Sequence, residues 1–253
     1  MSFNFSPKIV QNGMVLAFDA ANIKSCFSGS TTWTDLKSGL TTTFKRKIAP
    51  GSAITIVPTF DSSNGGSIYF NGVSIFSGDG VYLPTGETLT NLSSQVTLSV
   101  WFKKPYNSSY VEAPASKGFN GGSYTQSYLI YTLNNGVYGR ITTNTIGGYT
   151  DIGTTFTNDV WTNVSLTYNG TTMALYLNGV LKNSSAKSGP LMNGTIDFHI
   201  GCMVNMAAGV GAGPDKTSEF MVGNIANVLL YNRGLTSSEV LQNYNSLKPR
   251  FGL

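Results

Sequence analysis

Two Asn-Gly pairs frame this chain. They lie in residues 161–185, WTNVSLTYNGTTMALYLNGVLKNSS, where Val164, Leu166 and Tyr168 alternate with Ser165 and Thr167. A period of two belongs to a strand with one buried face. Asn169-Gly170 follows at once, and a type I′ hairpin turn favours such a pair because both of its central residues need φ > 0. Alternation resumes through Met173, Leu175 and Leu177 and stops at Asn178-Gly179. The spacing predicts a three-stranded antiparallel meander. The stretch holds no His and no carboxylate, so it argues for a β-sandwich and offers no catalytic chemistry.

Composition points the same way. Charged residues make up 11% of the 253 residues, against roughly 25% in soluble domains. Ser, Thr, Asn and Gly stand in their place and favour strands and tight turns over helices. The net charge is +4, and the basic clusters Lys45-Arg46-Lys47 and Lys103-Lys104 lack the interleaved aromatics of a single-strand nucleic-acid groove. They read as solvated loop or strand-end charges, with a phosphate patch as the alternative, and no nucleic-acid partner is expected. Cys26 and Cys202 match no metal or redox spacing; two free, partly buried thiols are preferred to a disulfide. The N-terminus lacks the charged and apolar regions of a signal peptide. No apolar run approaches the ~18 residues of a membrane span. The expectation is a chain made without a Sec-type leader and without a membrane partner.

Along the sequence, strands are predicted at 14–18, 54–60, 67–70, 81–83 and 96–102. Residues 106–127 show no periodicity and read as a long loop. A strand pair at 127–133 and 136–142 turns about Asn134-Asn135, with further strands at 153–157 and 196–200 and a last pair within 220–231. One helix is predicted at about 236–247. Thr236 and Glu239 there form a capping box, Leu235 and Val240 a hydrophobic staple, and Val240, Leu241, Tyr244 and Leu247 one apolar stripe. The fold expectation is all-β: an antiparallel jelly-roll sandwich with one short C-terminal α-helix. It occupies 13–253 as a single domain, after an N-terminal arm at 1–12.

Catalysis finds little footing. A glycosidase needs two carboxylates across the sugar, on one strand at i, i+2 or i+4. Only Asp215 and Glu219 are so close, at a loop-to-strand edge, and no catalytic residue is assigned. His199, the one histidine, lies between Phe198 and Ile200 and reads as a polar-face or satisfied core residue. The glycines of 209–213 precede no Lys-Ser/Thr and open no helix, so they are not read as a phosphate loop. No calcium-loop motif exists; Asp19 is read as a hydrogen-bonded turn residue in preference to a calcium ligand, and neither metal nor cofactor is assigned. Binding remains. Trp33, Trp101, Trp161 and the tyrosines offer rings on which sugars can stack. Tyr106, Tyr110, Tyr124 and Tyr128 are the glycan-binding candidates, the alternative being that they pack the long loop onto the sheet.

Five segments, in this order, carry a family resemblance: MVLAFDAANIKS with TTWTDL, SSNGGSIYFNGV, VTLSVWFK, WTNVSLTYNGTTMALYLNGVL, and NIANVLLYNRGLTSSEVLQNYNSLKPRFGL. They resemble laminin-G-like, concanavalin A-like jelly rolls over nearly the whole chain. The opening and the ending are similar to those of structural proteins of tailed, especially marine, bacteriophages. The resemblance implies a non-enzymatic virion protein, displayed on the particle surface as a capsid decoration or head-fibre subunit. It implies other virion proteins as partners, a homo-oligomeric state, and host or environmental polysaccharide as a further partner. The alternative is a lectin-like adhesin of a tail or fibre that reads host polysaccharide. Phe3 and Phe5 in the arm are the candidate assembly anchors. Many relatives carry Asp in place of Asn169 and a shorter loop at 106–127, so no calcium or sugar site carries over.

Overall fold

Alternation decides which side chains meet. The computed structural model describes residues 8–47, 58–72, 78–82, 88–106, 108–118, 126–144, 148–194, 196–204 and 217–253. The first half of the chain forms β1 (Met14–Asp19), β2 (Thr32–Thr34), β3 (Thr41–Lys47), β4 (Thr59–Asp61), β5 (Ser67–Asn71), β6 (Gly78–Tyr82), β7 (Val96–Lys103), β8 (Ser108–Gly118) and β9 (Gln126–Asn134). The second half forms β10 (Gly136–Thr142), β11 (Tyr149–Thr155), β12 (Thr162–Tyr168), β13 (Thr172–Leu177), β14 (Val180–Ala186), β15 (Phe198–Ile200), β16 (Met203–Val204), β17 (Thr217–Ser218) and β18 (Val222–Tyr231). Helix α1 (Ser237–Leu247) and a 3-10 turn (Lys248–Phe251) close it.

Two large antiparallel sheets result, with β16 and β17 as a separate two-stranded pair. The first runs β14-β13-β12-β7-β18-β5-β4 with β1 beside β18; the second runs β11-β10-β9-β8-β15-β6-β3-β2. Leu98, Val100, Val164, Leu166, Val228 and Leu230 of the first sheet face Ile130, Val137, Ile141, Phe198 and Ile200 of the second in one core. The sandwich and its terminal helix agree with the sequence expectation.

The meander is where the Asn-Gly pairs place it, but only the second turn is of the expected kind. Asn178 and Gly179 have φ of 51° and 76°, the two positive values of a type I′ turn. At the first turn the Asn169 side chain accepts from Thr171 N and Thr172 N at 3.0 and 2.9 Å and rounds a wider loop. The expected pair within 220–231 is a single ten-residue strand, β18, with a bulge between Ile225 and Asn227. Strand β1 pairs with β18 on one side only. On its other edge Asp35 accepts from Ala17 N at 2.5 Å and Leu36 N donates to Ala17 O at 2.9 Å. The loop thereby closes an edge that would otherwise be open to another strand.

The predicted loop at 106–127 is corrected most. Strand β8 runs through it, between β9 and β15. From Glu112 onward both its faces are buried, and register shifts against β9 interrupt its alternation. Ala115 lies in the core, Ala113 packs against Met203, and Ser116 Oγ donates to Cys202 O at 3.0 Å. Glu112 and Lys117 are buried with partners. Glu112 Oε2 accepts from Lys104 Nζ and from Val222 N, and Lys117 Nζ donates to Gly194 O and Ile196 O. Lys104, read as a solvated charge, is thus a buried half of an ion pair. Cys26 and Cys202 are both buried and are not joined in a disulfide.

These groups set a pH profile. Burial depresses Lys117 to about 8, from an ordinary 10.5, and lowers Lys104 and Lys187 as well. Between pH 8 and 10.5 the unfolded chain therefore binds the proton that folded Lys117 has released, and stability rises with pH. Burial raises Tyr128, Tyr131 and Tyr231 above their ordinary 10.0; above pH 10 the unfolded chain loses those protons first, and stability falls. The Arg233 hydrogen bond is the largest cause holding Glu239 down at about 2, so its contribution is lost as pH drops from 4.5 through 2. Urea midpoints measured from pH 3 to 11 are expected to peak near pH 9.5–10. A midpoint that declines steadily from pH 7 to 9.5 contradicts this.

Candidate functional site

A binding face has to be open, and much of the outer face of the first sheet is covered. Helix α1 is capped as the sequence predicts: Glu239 N donates to Thr236 Oγ1 and Thr236 N to Glu239 Oε2, with Arg233 held on the same carboxylate. Leu241 is exposed, however, and Asn243 takes its place in the buried stripe, accepting from Val10 N and donating to the Tyr231 hydroxyl. Tyr244 and Phe251 stack on the Trp101 ring at 5.5 and 4.3 Å, and Phe251 also meets Trp161 at 4.7 Å. Trp101 is 1% exposed, and Trp33 and Trp161 are buried too. The tryptophans are corrected: they hold the fold and offer no ring to a ligand.

The four candidate tyrosines are not brought together. Tyr128 is fully buried in the core and donates to Thr90 O at 2.8 Å, so it is corrected to a structural residue. Tyr124 lies outside the described residues, as do Phe3 and Phe5. Tyr106 is 51% exposed, with its ring 5.5 Å from Lys104 Nζ, and Tyr110 stands 60% exposed on β8.

A cluster that the sequence reading did not single out occupies the outer face of the second sheet at β9, β10 and β11. Register sets Tyr131 opposite Tyr138 and Arg140 opposite Asp151. Val137, Gly139 and Ile141 alternate inward, so Tyr138 and Arg140 share the outer side. Arg140 Nε and Nη2 each donate to Asp151, to Oδ1 and Oδ2 respectively, both at 2.7 Å. This two-pronged geometry fixes both side chains. Tyr149 lies over the guanidinium at 4.1 Å and Tyr131 at 5.6 Å, as cation–π partners. Tyr131 and Tyr138 stack with centroids 5.0 Å apart. Tyr138 fits because Gly153 and Gly136 lack side chains: a Cβ there would meet its ring at 2.3 and 2.6 Å. Arg140 is 9% exposed while Tyr149 is 39% exposed, so the ring face away from the arginine is turned to solvent. Burial first, and the Asp151 charge second, push the Tyr131 phenol well above its ordinary range and keep it neutral.

Several carboxylates among the described residues are engaged with cations. Arg250 Nη1 binds Asp19 at 2.6 Å, Lys103 meets Asp159 at 3.0 Å, and Lys104 holds Glu112. Asp19, considered for calcium, is an arginine partner. Among the described residues no group of three His, Cys, Asp or Glu is placed to hold a metal ion. Asp215, half of the one close acidic pair, lies outside the described residues. His199 is buried, with Nδ1 2.9 Å from Asp197 O. No helix among the described residues is long and apolar enough to cross a membrane.

Comparison with known proteins places these features in context. The family model described as the concanavalin A-like lectin/glucanases superfamily, of the laminin G type, matches residues 76–241. No curated protein matches the chain in sequence. Among solved structures, the binding domain of Paraclostridial Mosquitocidal Protein 1 aligns with a TM-score of 0.63 at 16% identity, over 93% of this chain and 52% of that one. A botulinum neurotoxin type C structure, from a toxin whose uptake by cells depends on interaction with two ganglioside molecules, aligns at 0.64 and 13% identity over 93% and 52%. Trypanosoma rangeli sialidase in complex with sialic acid aligns at 0.63 and 15% identity, over 96% and 34%. At such identities the likeness concerns the fold. The chain spans about half the length of the toxin chains and a third of the sialidase.

Proposed function

Because this chain belongs to the concanavalin A-like lectin/glucanases superfamily, we propose that it is a non-catalytic carbohydrate-binding module displayed on the surface of a tailed-phage particle. The observation that carries the binding reading is the Tyr149, Arg140 and Asp151 cluster: an exposed ring, held on a fixed ion pair, on the sheet face that α1 leaves uncovered. Sugars present apolar C–H faces to such rings and hydroxyls to the polar groups beside them. The non-catalytic part is supported by carboxylates committed to Arg140, Lys104, Arg233 and Arg250, since a glycosidase needs one acid free to donate a proton and another free to act on the sugar. The virion setting is supported by the sequence resemblance. It makes the protein a homo-oligomeric decoration or head-fibre subunit, with Phe3 and Phe5 of the arm at its contact with other virion proteins and polysaccharide beyond the particle as its ligand.

Purified protein is expected to bind at least one polysaccharide on a glycan array, with micromolar to millimolar affinity, and to release no reducing ends from it. Cleavage of a bound glycan overturns the non-catalytic reading, and a blank array overturns the binding reading. Immunogold labelling of intact particles tests the setting. Label over the head is expected; label confined to the tail gives the same module the role of an adhesin.

A further inference from the structure

We propose that the Tyr149 cluster selects neutral pyranose sugars and turns acidic sugars away; this rests on the carbohydrate-binding reading above. The charged side chains of the cluster answer each other. Arg140 gives two donors to Asp151 in a parallel pair, each at 2.7 Å, and its flat face lies under the Tyr149 ring at 4.1 Å. Its positive charge is thereby compensated before any ligand arrives. Lys187, after β14, donates its ammonium to Gly148 O at 2.7 Å beside Tyr149 and is itself buried. What the face shows to solvent is ring surface from Tyr149, half-buried rings of Tyr131 and Tyr138, and part of the Asp151 carboxylate, whose side chain is 25% exposed.

A uronic or sialic acid docking here would give up hydration of its carboxylate and meet Asp151 as a like charge. Arg140 and Lys187, already engaged, do not replace the lost hydration. A neutral hexose loses nothing comparable: its C–H face packs on Tyr149, and its hydroxyls can donate to the part-exposed Asp151 carboxylate. The discrimination comes from the arginine being already occupied. Asp151 acts on ligand choice in two ways, by occupying Arg140 and by meeting the sugar directly.

The test uses the full chain on an array of cellohexaose, laminarihexaose and galactohexaose beside hexagalacturonate and sialyllactose, followed by calorimetry. Neutral oligosaccharides are expected to bind about tenfold or more tightly than acidic ones. Tyr149→Ala is expected to weaken neutral binding about tenfold with its melting temperature little changed, because the ring sits on an outer face. Asp151→Asn, nearly the same shape, frees the arginine's charge and is expected to raise hexagalacturonate affinity about fivefold or more. Preferred binding of acidic sugars by the unaltered protein overturns the selectivity while leaving the carbohydrate reading intact. Unchanged binding in Tyr149→Ala, or unchanged acidic affinity in a folded Asp151→Asn protein, overturns the site. An array on which none of the sugars binds removes both readings together.

Discussion

Replacing Phe251 by alanine is expected to destabilise the protein by about 3–5 kcal/mol, the range for removing a large buried aromatic. The ring lies 4.3 Å from Trp101 and 4.7 Å from Trp161, at the end of a segment that covers the outer face of the first sheet. Without it, Trp101 keeps Tyr244 on one side but loses its second cover, and the turn after α1 loses its anchor. Arg250 donates to Asn64 O at 2.8 Å, to Gly66 O and to Asp19, but its side chain is part-exposed and holds the turn less firmly than the ring does. Tryptophan fluorescence separates this account from a general loss of stability. Trp101 and Trp161 should shift to the red under native conditions, while Trp33, buried against Phe18 at 5.5 Å, keeps its blue component. An unshifted spectrum with a loss under about 1 kcal/mol contradicts the role given to the C-terminal segment.

Asp35→Ala is expected to cost about 3 kcal/mol, because it strips a buried carboxylate from several donors at once. Asp35 is fully buried and accepts from Ala17 N at 2.5 Å, from Lys37 N at 3.2 Å, and from both Ser38 N and Ser38 Oγ, at 2.7 and 2.5 Å. Ala17 N lies on the edge of β1, where no strand replaces the lost acceptor. The variant therefore carries an unsatisfied buried N–H and a reopened edge, and it is expected to aggregate on warming before the parent does. Asp35→Asn retains one oxygen and is expected to lose less. Denaturant midpoints of the three proteins check the order. Equal midpoints for parent and Asp35→Ala contradict the edge-capping assignment.

Much of this architecture was legible wherever large apolar residues alternate with Ser, Thr or Asn along a strand. Val164, Leu166 and Tyr168 alternate, and so do Val96, Leu98 and Val100, and both runs became strands of the first sheet. The hairpin about Asn134-Asn135 was equally readable, and its turn fixes Tyr131 opposite Tyr138. Half of the candidate site was therefore available from local pattern. The other half was not. Arg140 meets Asp151 only through the register of β10 with β11, and the loop that sets this register has no turn motif as definite as Asn-Gly. Strand β8 escaped for a different reason. Register shifts against β9 put Ala113 and Ala115 into different clusters, and with Glu112 and Lys117 satisfied inside, no regular apolar period marks the strand. Tyr128, read as the end of that loop passing into the strand 127–133, looked exposed by association with it, but β9 holds it inside the core.

The measurement closest to the central claim is amide chemical-shift mapping of the isotopically labelled protein during titration with the tightest-binding neutral oligosaccharide. The account predicts shifts concentrated at Tyr131, Tyr138, Arg140, Tyr149 and Asp151, with α1 and the Trp101 face silent. Shifts gathered around Tyr106 and Tyr110, or on the C-terminal segment, would contradict the placement of the site on the open face of the second sheet.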